Sequence, residues 1–184
     1  MKSSLRNMLL SLTGVCVLTG AALAVVNIIT AEPIAAAAEA SRRTAMADIR
    51  PPFDNDIAST AQGAAEGTTV YTARLGDELA GCAVETFSDA GFGGRIVLLA
   101  GFDAHGVLTG YRVLSHAETP GLGARMQEWF EAEGTGHDVR GSSGDIAVRA
   151  DGGDIDAITG ATITSRAFTE AINRARRAAN TILQ

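Results

Sequence analysis

Charged residues vanish between Leu9 and Thr30 and return on both sides. The segment LLSLTGVCVLTGAALAVVNIIT is long enough for one membrane-spanning helix, which needs about 20 apolar residues. A cleaved signal peptide is the competing reading, but its apolar core is usually about 7–15 residues long. Thr30-Ala31-Glu32-Pro33 is also a poor cleavage site, although Ala35–Ala38 offers another. The pattern therefore predicts an uncleaved transmembrane helix over 9–30, with residues 1–8 as a short cytoplasmic tail. Lys2 and Arg6 flank one end, Arg42 and Arg43 the other, so the positive-inside bias is small. The shortness of the basic tail favours the cytoplasm for it, and the outer side for the body of the chain.

Beyond the span, residues 31–67 read as a stalk or linker. Its Ala-rich first part, 31–50, predicts a helix, and Pro51-Pro52 ends it, because proline lacks the N–H and restricts its predecessor. Phe53 to Gly67 is polar and small, a helix or a loop. From residue 68 the period changes to two. Thr68–Leu75 and Leu79–Phe87 alternate as strands around a Gly76-Asp77 turn, and Ser88–Gly94 reads as a glycine loop. Arg95–Phe102 and Val107–His116 form a second strand pair around Asp103-Ala104-His105-Gly106. After a loop at Glu118–Gly123, Arg125–Glu133 has helical spacing, residues 134–144 are rich in Gly and Ser, and Ile146–Ala150 is a short strand. A final helix starts near Ser165, with Phe168, Ile172, Ala175, Ala179 and Ile182 on one face and Arg174, Arg176 and Arg177 on others. Two consecutive hairpins followed by an amphipathic helix predict an α+β fold: a mainly antiparallel sheet packed against helices, preceded by one N-terminal transmembrane helix.

Composition narrows the function. The net charge is −6, and the positive charges of Lys2 and Arg6 leave −8 for residues 31–184. An acidic body argues against a nucleic-acid partner, whose phosphates need a basic face. Two cysteines, one inside the apolar run, exclude a disulfide scaffold and a Cys-based zinc site. His105, His116 and His137 are scattered, so no metal site is expected. His105 and His137 read as solvated, and His116 as structural at a strand end. Trp129 and Phe130 read as core rather than a cofactor sandwich. Ser142 and Ser143 lack a neighbouring base, which rejects a serine hydrolase.

The segment with chemical content is Asp156-Ala157-Ile158-Thr159-Gly160-Ala161-Thr162-Ile163-Thr164-Ser165-Arg166, leading into the last helix. Hydroxyls and a glycine cluster where unpaired backbone N–H groups leave a helix start, an arrangement that attracts phosphate. Arg166 could add charge. The plainer alternative is a helix cap through Thr162 or Thr164, and caps are commoner than phosphate sites. The segment is no P-loop, since the lysine of that motif is missing.

Asp156-x-x-Thr159-Gly160-Ala161-Thr162 resembles the Asp-x-x-Ser/Thr-Gly-Ala-Thr motif of covalently flavinylated FMN-binding domains. His116-Ala117-Glu118-Thr119-Pro120-Gly121-Leu122-Gly123 resembles that family's loop beside the flavin ring, and Gly91-Phe92-Gly93-Gly94-Arg95-Ile96 its Gly-aromatic-Gly-Gly turn. The resemblance implies an FMN-binding domain over 68–184, with FMN joined through its phosphate to Thr162 by a flavin transferase that takes it from FAD. Thr159, Gly160 and Ala161 would complete the cofactor-binding motif. Thr119 and Leu122 would contact the ring, and Glu118 would shape the loop. No catalytic residue is implied, because the chain makes no substrate bond itself.

Over nearly the whole length the layout resembles the G subunit of the Rnf (Rsx) ion-translocating electron-transport complex. That resemblance implies an electron carrier between ferredoxin and NAD in the bacterial inner membrane, with its soluble domain on the periplasmic side. Its partners would be the other membrane subunits, the transferase and membrane lipid. The C subunit of the sodium-translocating NADH:quinone reductase shares these motifs and is the close alternative. A non-enzymatic anchored binding domain, with Thr162 as a mere cap, is the distant one.

Overall fold

The computed structural model describes residues 5–49 and 60–183. The expected stop at Pro51-Pro52 and the stretch from Phe53 to Ser59 lie outside the described residues. The chain divides into two units, residues 1–40 and 41–184.

In the first unit the described residues are helical throughout, part of α1, Leu5–Asp48, which carries Pro33 inside it. Leu10, Leu18 and Ile28 are each more than 60% exposed. Three of its hydroxyls bond back to the helix: Ser11 Oγ donates to Met8 O (3.1 Å), Thr19 Oγ1 to Val15 O (2.9 Å) and Thr30 Oγ1 to Val26 O (2.8 Å). Such back-bonding satisfies these donors within the helix, which suits it to hydrocarbon. Among the described residues it is one helix long and apolar enough to cross a membrane.

The second unit is an α+β fold. Five strands, β1 (Gln62–Gly63), β2 (Thr69–Leu75), β3 (Glu78–Gly91), β4 (Gly94–Asp103) and β5 (Leu108–Ser115), form one antiparallel meander in chain order. The predicted strand pairs appear with their turns. Leu75 pairs with Glu78 across Gly76-Asp77. Asp103 Oδ1 holds the next turn by accepting the N–H groups of His105 (2.8 Å) and Val107 (2.9 Å).

The predicted glycine loop at Ser88–Gly94 is corrected. β3 continues to Gly91 through a bulge between Ser88 and Gly91, and Gly91 pairs with Gly94 across a two-residue turn, Phe92-Gly93. The Ser88 hydroxyl stabilises the bulge by accepting Ala90 N–H (3.1 Å) and donating to Glu170 (2.7 Å).

Period-two alternation sends Val70, Cys82, Val84, Leu98, Ala100 and Phe102 to one face of the sheet. There they meet α3, Thr162–Leu183, through Phe168, Ile172, Ala175 and Ala179. Phe168 stacks on Phe130 (4.3 Å between centroids) and meets Tyr111 edge-on (4.8 Å). The opposite face carries Tyr71, Ala73, Ala83 and Leu99, covered by Ala45, Met46 and Ile49 at the end of α1. A Cβ on Gly101 would lie 2.0 Å from Ile49 Cγ2, so the close approach there requires glycine. Arg42 adds an ion pair with Glu85 (2.7 Å).

Other expectations need revision. Arg125–Glu133 is a 3-10 turn, Gly123–Arg125, followed by one turn of helix, α2 (Met126–Trp129). At its end the Gln127 carbonyl accepts the Tyr111 hydroxyl (2.9 Å) instead of the next helical N–H, and the Phe130 carbonyl accepts Val139 N–H (3.1 Å). Ile146–Ala150 is no strand but a single parallel bridge, Val148 to Ile155, closed by a turn at Arg149–Asp151. α3 begins at Thr162, three residues earlier than expected, because Ser165 N–H already bonds Ala161 O (3.0 Å). Arg176, placed off the apolar stripe, is buried all the same. It is 3% exposed and donates to the carbonyls of Gly106 and Ser142 (both 3.0 Å) and to Ser142 Oγ (2.8 Å). Burial lowers its pKa. His137 is half-buried and stacked on Trp129 (4.2 Å) rather than solvated.

Candidate functional site

The loop after β5, the hairpin tip between β3 and β4, and the first turn of α3 converge on one cavity of about 350 Å³. That volume falls in the range of small-molecule clefts. Phe92 stands at the hairpin tip, Glu118, Thr119, Leu122 and Gly123 come from the loop, and Gly160 to Thr164 from the helix start.

Glu118 ties the three segments together. Its side chain is buried, with 5% of the residue exposed. Oε1 accepts Gly93 N–H at 2.9 Å, and Oε2 accepts the hydroxyl of Thr164. Its own N–H donates to His116 Nδ1 at 3.2 Å, giving His116 the structural part expected of it. On the side of Gly123 the carboxylate is tightly packed. A Cβ on Gly123 would sit 2.5 Å from Thr164 Oγ1 and 2.7 Å from Glu118 Oε2. The Thr119 carbonyl then closes the loop by accepting N–H from Leu122 and Ala124, both at 3.2 Å.

The other wall is built by the segment leading into α3. Asp156 anchors it: its N–H donates to Gly136 O (3.1 Å), its carbonyl accepts Trp129 Nε1–H (3.0 Å), and its carboxylate pairs with Arg149 (2.6 Å). Gly160 turns the chain with φ 77°, a conformation costly for residues with a Cβ. The hydroxyls that follow have different fates. Ser165 Oγ, buried, accepts Ile158 N–H and donates to Ala161 O, both at 3.0 Å, so it ties the segment before the helix to the first turn, and among the described residues neither Thr162 nor Thr164 accepts a helix N–H as the cap reading expected. Thr164 is buried and committed to Glu118. Thr162, the first residue of α3, is half-buried in the cavity wall, and its hydroxyl has no hydrogen-bond partner among the described residues. The first N–H groups of a helix lack intrahelical acceptors, which makes this end of the cavity suited to an anion.

Of the residues singled out from sequence, Glu118, Thr119, Leu122, Gly160, Ala161 and Thr162 line one cavity. Thr159 is exposed and lies outside its wall. Arg166 does not line it either, for it forms a bidentate pair with Asp151 (2.7 Å for both contacts) that holds the Asp151 carboxyl below its usual range. Three lining residues were missed: Phe92, Gly123 and Ile163. Phe92 and Ile163 are 70% and 49% exposed, and Leu122 is 42% exposed. Large apolar side chains left exposed beside a cavity suit a flat aromatic ligand. The Gly-aromatic-Gly-Gly turn carried the signal for Phe92.

Comparison with known proteins adds a family model described as FMN-binding domain, matching residues 91–177. The stretch contains the hairpin tip, the Glu118 loop and the start of α3. The chain is 36% identical over 165 residues to a Yersinia pestis protein named as the G subunit of an ion-translocating oxidoreductase complex, covering 83% of this chain and 79% of that one. A Shewanella amazonensis protein of the same name is 34% identical over 187 residues, covering 94% and 86%. One from Escherichia coli K12 is 40% identical over 118 residues, covering 61% of this chain and 57% of its own length.

Proposed function

The chain belongs to the family of G subunits of ion-translocating oxidoreductase complexes, and from that premise we propose that it is a membrane-anchored flavoprotein subunit relaying electrons through FMN held on Thr162. The anchor is the apolar part of α1, and the redox site is the cavity between the Glu118 loop and the start of α3. Ion movement belongs to partner membrane subunits, since a single candidate span offers no path of its own. The relay runs between ferredoxin and NAD, as in Rnf-type complexes, with the folded unit on the periplasmic side of the bacterial inner membrane.

The observation that carries the covalent assignment is the state of the hydroxyls. Thr164 and Ser165 are buried and hydrogen-bonded, whereas Thr162 opens into the cavity unpartnered. A flavin transferase supplies FMN from FAD. Thr162 would hold the flavin through its hydroxyl oxygen, in a transfer from FAD that would release AMP and the hydroxyl proton. The resulting phosphodiester keeps one negative charge at a helix N-terminus, where the helix dipole favours it. The apolar side chains of Phe92, Leu122 and Ile163 are placed to cover the ring. When bound, FMN supplies one- and two-electron transfer, and the chain's own groups orient it and tune its electronics. A tether also spares the site dependence on free flavin, which otherwise sets occupancy by mass action.

Co-expression with a flavin transferase tests this reading. The full-length chain should fluoresce under ultraviolet light in a denaturing gel, and its intact mass should rise by FMN less one water. Thr162→Ala should abolish both, and Thr164→Ala should retain the mass gain. Retention in Thr162→Ala, or loss in Thr164→Ala alone, would move the link to another residue.

A further inference from the structure

We infer that Glu118 sets the reduction potential of the flavin, holding it low by placing an unpaired negative charge in the cavity wall. The inference rests on FMN occupying the cavity as proposed above. Both carboxylate oxygens are engaged, Oε1 by Gly93 N–H and Oε2 by the Thr164 hydroxyl, and both donors are neutral. Among the described residues no Arg, Lys or His side chain pairs with it. Several carboxylates elsewhere in the folded unit are matched by arginines, Asp89 by Arg95, Asp151 by Arg166, Asp156 by Arg149 and Glu85 by Arg42, and those without an ion pair are not buried. Glu118 is the buried exception, and it lines the cavity.

Reduction adds two electrons to the ring, and unless two protons accompany them the ring gains negative charge. A carboxylate in the wall disfavours that product. Exposed acidic groups on the rest of the body are screened within about 8 Å at physiological salt, but a buried carboxylate is screened far less. Neutral hydrogen bonds hold the charge in place without cancelling it, and Gly91 and Gly123 let the backbone pass close to it: an added Cβ would lie 2.6 Å from Oε1 at Gly91 and 2.7 Å from Oε2 at Gly123.

The test compares wild type, Glu118→Gln and Glu118→Asp, each full length and loaded by co-expressed transferase. Readouts are the intact mass, the visible flavin spectrum and the midpoint potential from an anaerobic dye-coupled titration at low and high salt. The amide keeps the shape and the acceptor for Gly93 N–H while removing the charge. Glu118→Gln should gain the full FMN mass and titrate at a more positive potential. At a fixed potential its oxidised-to-reduced ratio should fall at least tenfold, about 30 mV for a two-electron couple. The shift should persist at high salt, and Glu118→Asp, which keeps the charge, should titrate closer to wild type. A merely structural role would leave the potential of Glu118→Gln unchanged, and that result overturns the inference. So does a shift that salt abolishes, or a Glu118→Gln chain that takes no flavin, which would assign the carboxylate to loading instead. Wild type that gains no FMN mass overturns the reading on which the inference rests, a separate outcome read from the first measurement.

Discussion

Within four residues of one helix start, three hydroxyl groups do three different things. The Ser165 hydroxyl ties the preceding loop to the first turn, that of Thr164 ties the helix to Glu118, and that of Thr162 is left to the cavity. Their assignment was only half legible in the chain, because hydroxyls at a helix start look alike until their partners are placed. The partner that decides it, Glu118, lies forty-six residues upstream, and no local pattern connects the two. Glu118, Thr119, Leu122, Gly160, Ala161 and Thr162 were legible as motif residues, whereas Thr159 shapes the turn from outside the wall. Gly123 was missed because glycine in a Pro-Gly-Leu-Gly loop reads as turn chemistry, while its real constraint is the packing of Thr164 and Glu118 against its Cα. Gly123→Ala must therefore push those side chains apart. Overpacking of this kind costs about 1–3 kcal/mol. We expect a lower urea midpoint for the detergent-solubilised protein and reduced flavin content by intact mass. An unchanged midpoint with full flavin content would show that the clamp has slack.

Among elements, α3 connects the sheet to the site, so damage at its middle should be felt at its start. Its apolar stripe was legible because a helix buried on one side repeats at 3.6 residues, and Phe168, Ile172, Ala175 and Ala179 are all buried as the period requires. The strands were legible for the same reason at period two. What failed were boundaries decided by distant groups. The β3–β4 hairpin looked like a loop because Gly91, Gly93 and Gly94 crowd its tip, whereas a bulge and Ser88 keep the pairing intact to the end. α2 looked twice its length because the donors that meet the carbonyls at its end, the Tyr111 hydroxyl and the Val139 N–H, lie outside the segment. Arg176 falls off the apolar stripe in the period, yet it is buried and serves two loops as a donor. Phe168 is fully buried between Phe130 and Tyr111. Phe168→Ala should cost about 3–5 kcal/mol, the usual range for emptying a packed aromatic site. Denaturant unfolding measures the loss, and a cost below about 1 kcal/mol would mean that α3 is not held by this stack.

At the scale of the whole molecule, the two units divide the labour between anchorage and redox chemistry, and the side of the membrane on which the second unit lies decides which donors reach it. Counting Lys and Arg near the ends of the span gives Lys2 and Arg6 against Arg42 and Arg43, a balance too even for the positive-inside rule to settle. Arg42 is moreover committed within the folded unit to Glu85. Two further considerations break the tie. Lys2 and Arg6 lie immediately before the apolar run, whereas Arg42 and Arg43 lie well beyond it, and a long segment after the run can be translocated largely irrespective of its charge. Covalent tethering also helps most where lost FMN is not replaced, which is outside the cytoplasm. A fusion after Gln184 should therefore be active with a reporter that matures only in the periplasm and silent with one that works only in the cytoplasm. In spheroplasts, added protease should remove the folded unit while the N-terminal tail stays protected, and an alkaline carbonate wash should leave the untreated protein in the membrane. The opposite reporter pattern would place the flavin site in the cytoplasm and remove the resupply argument for the tether, while leaving the Thr162 link itself to be judged by mass.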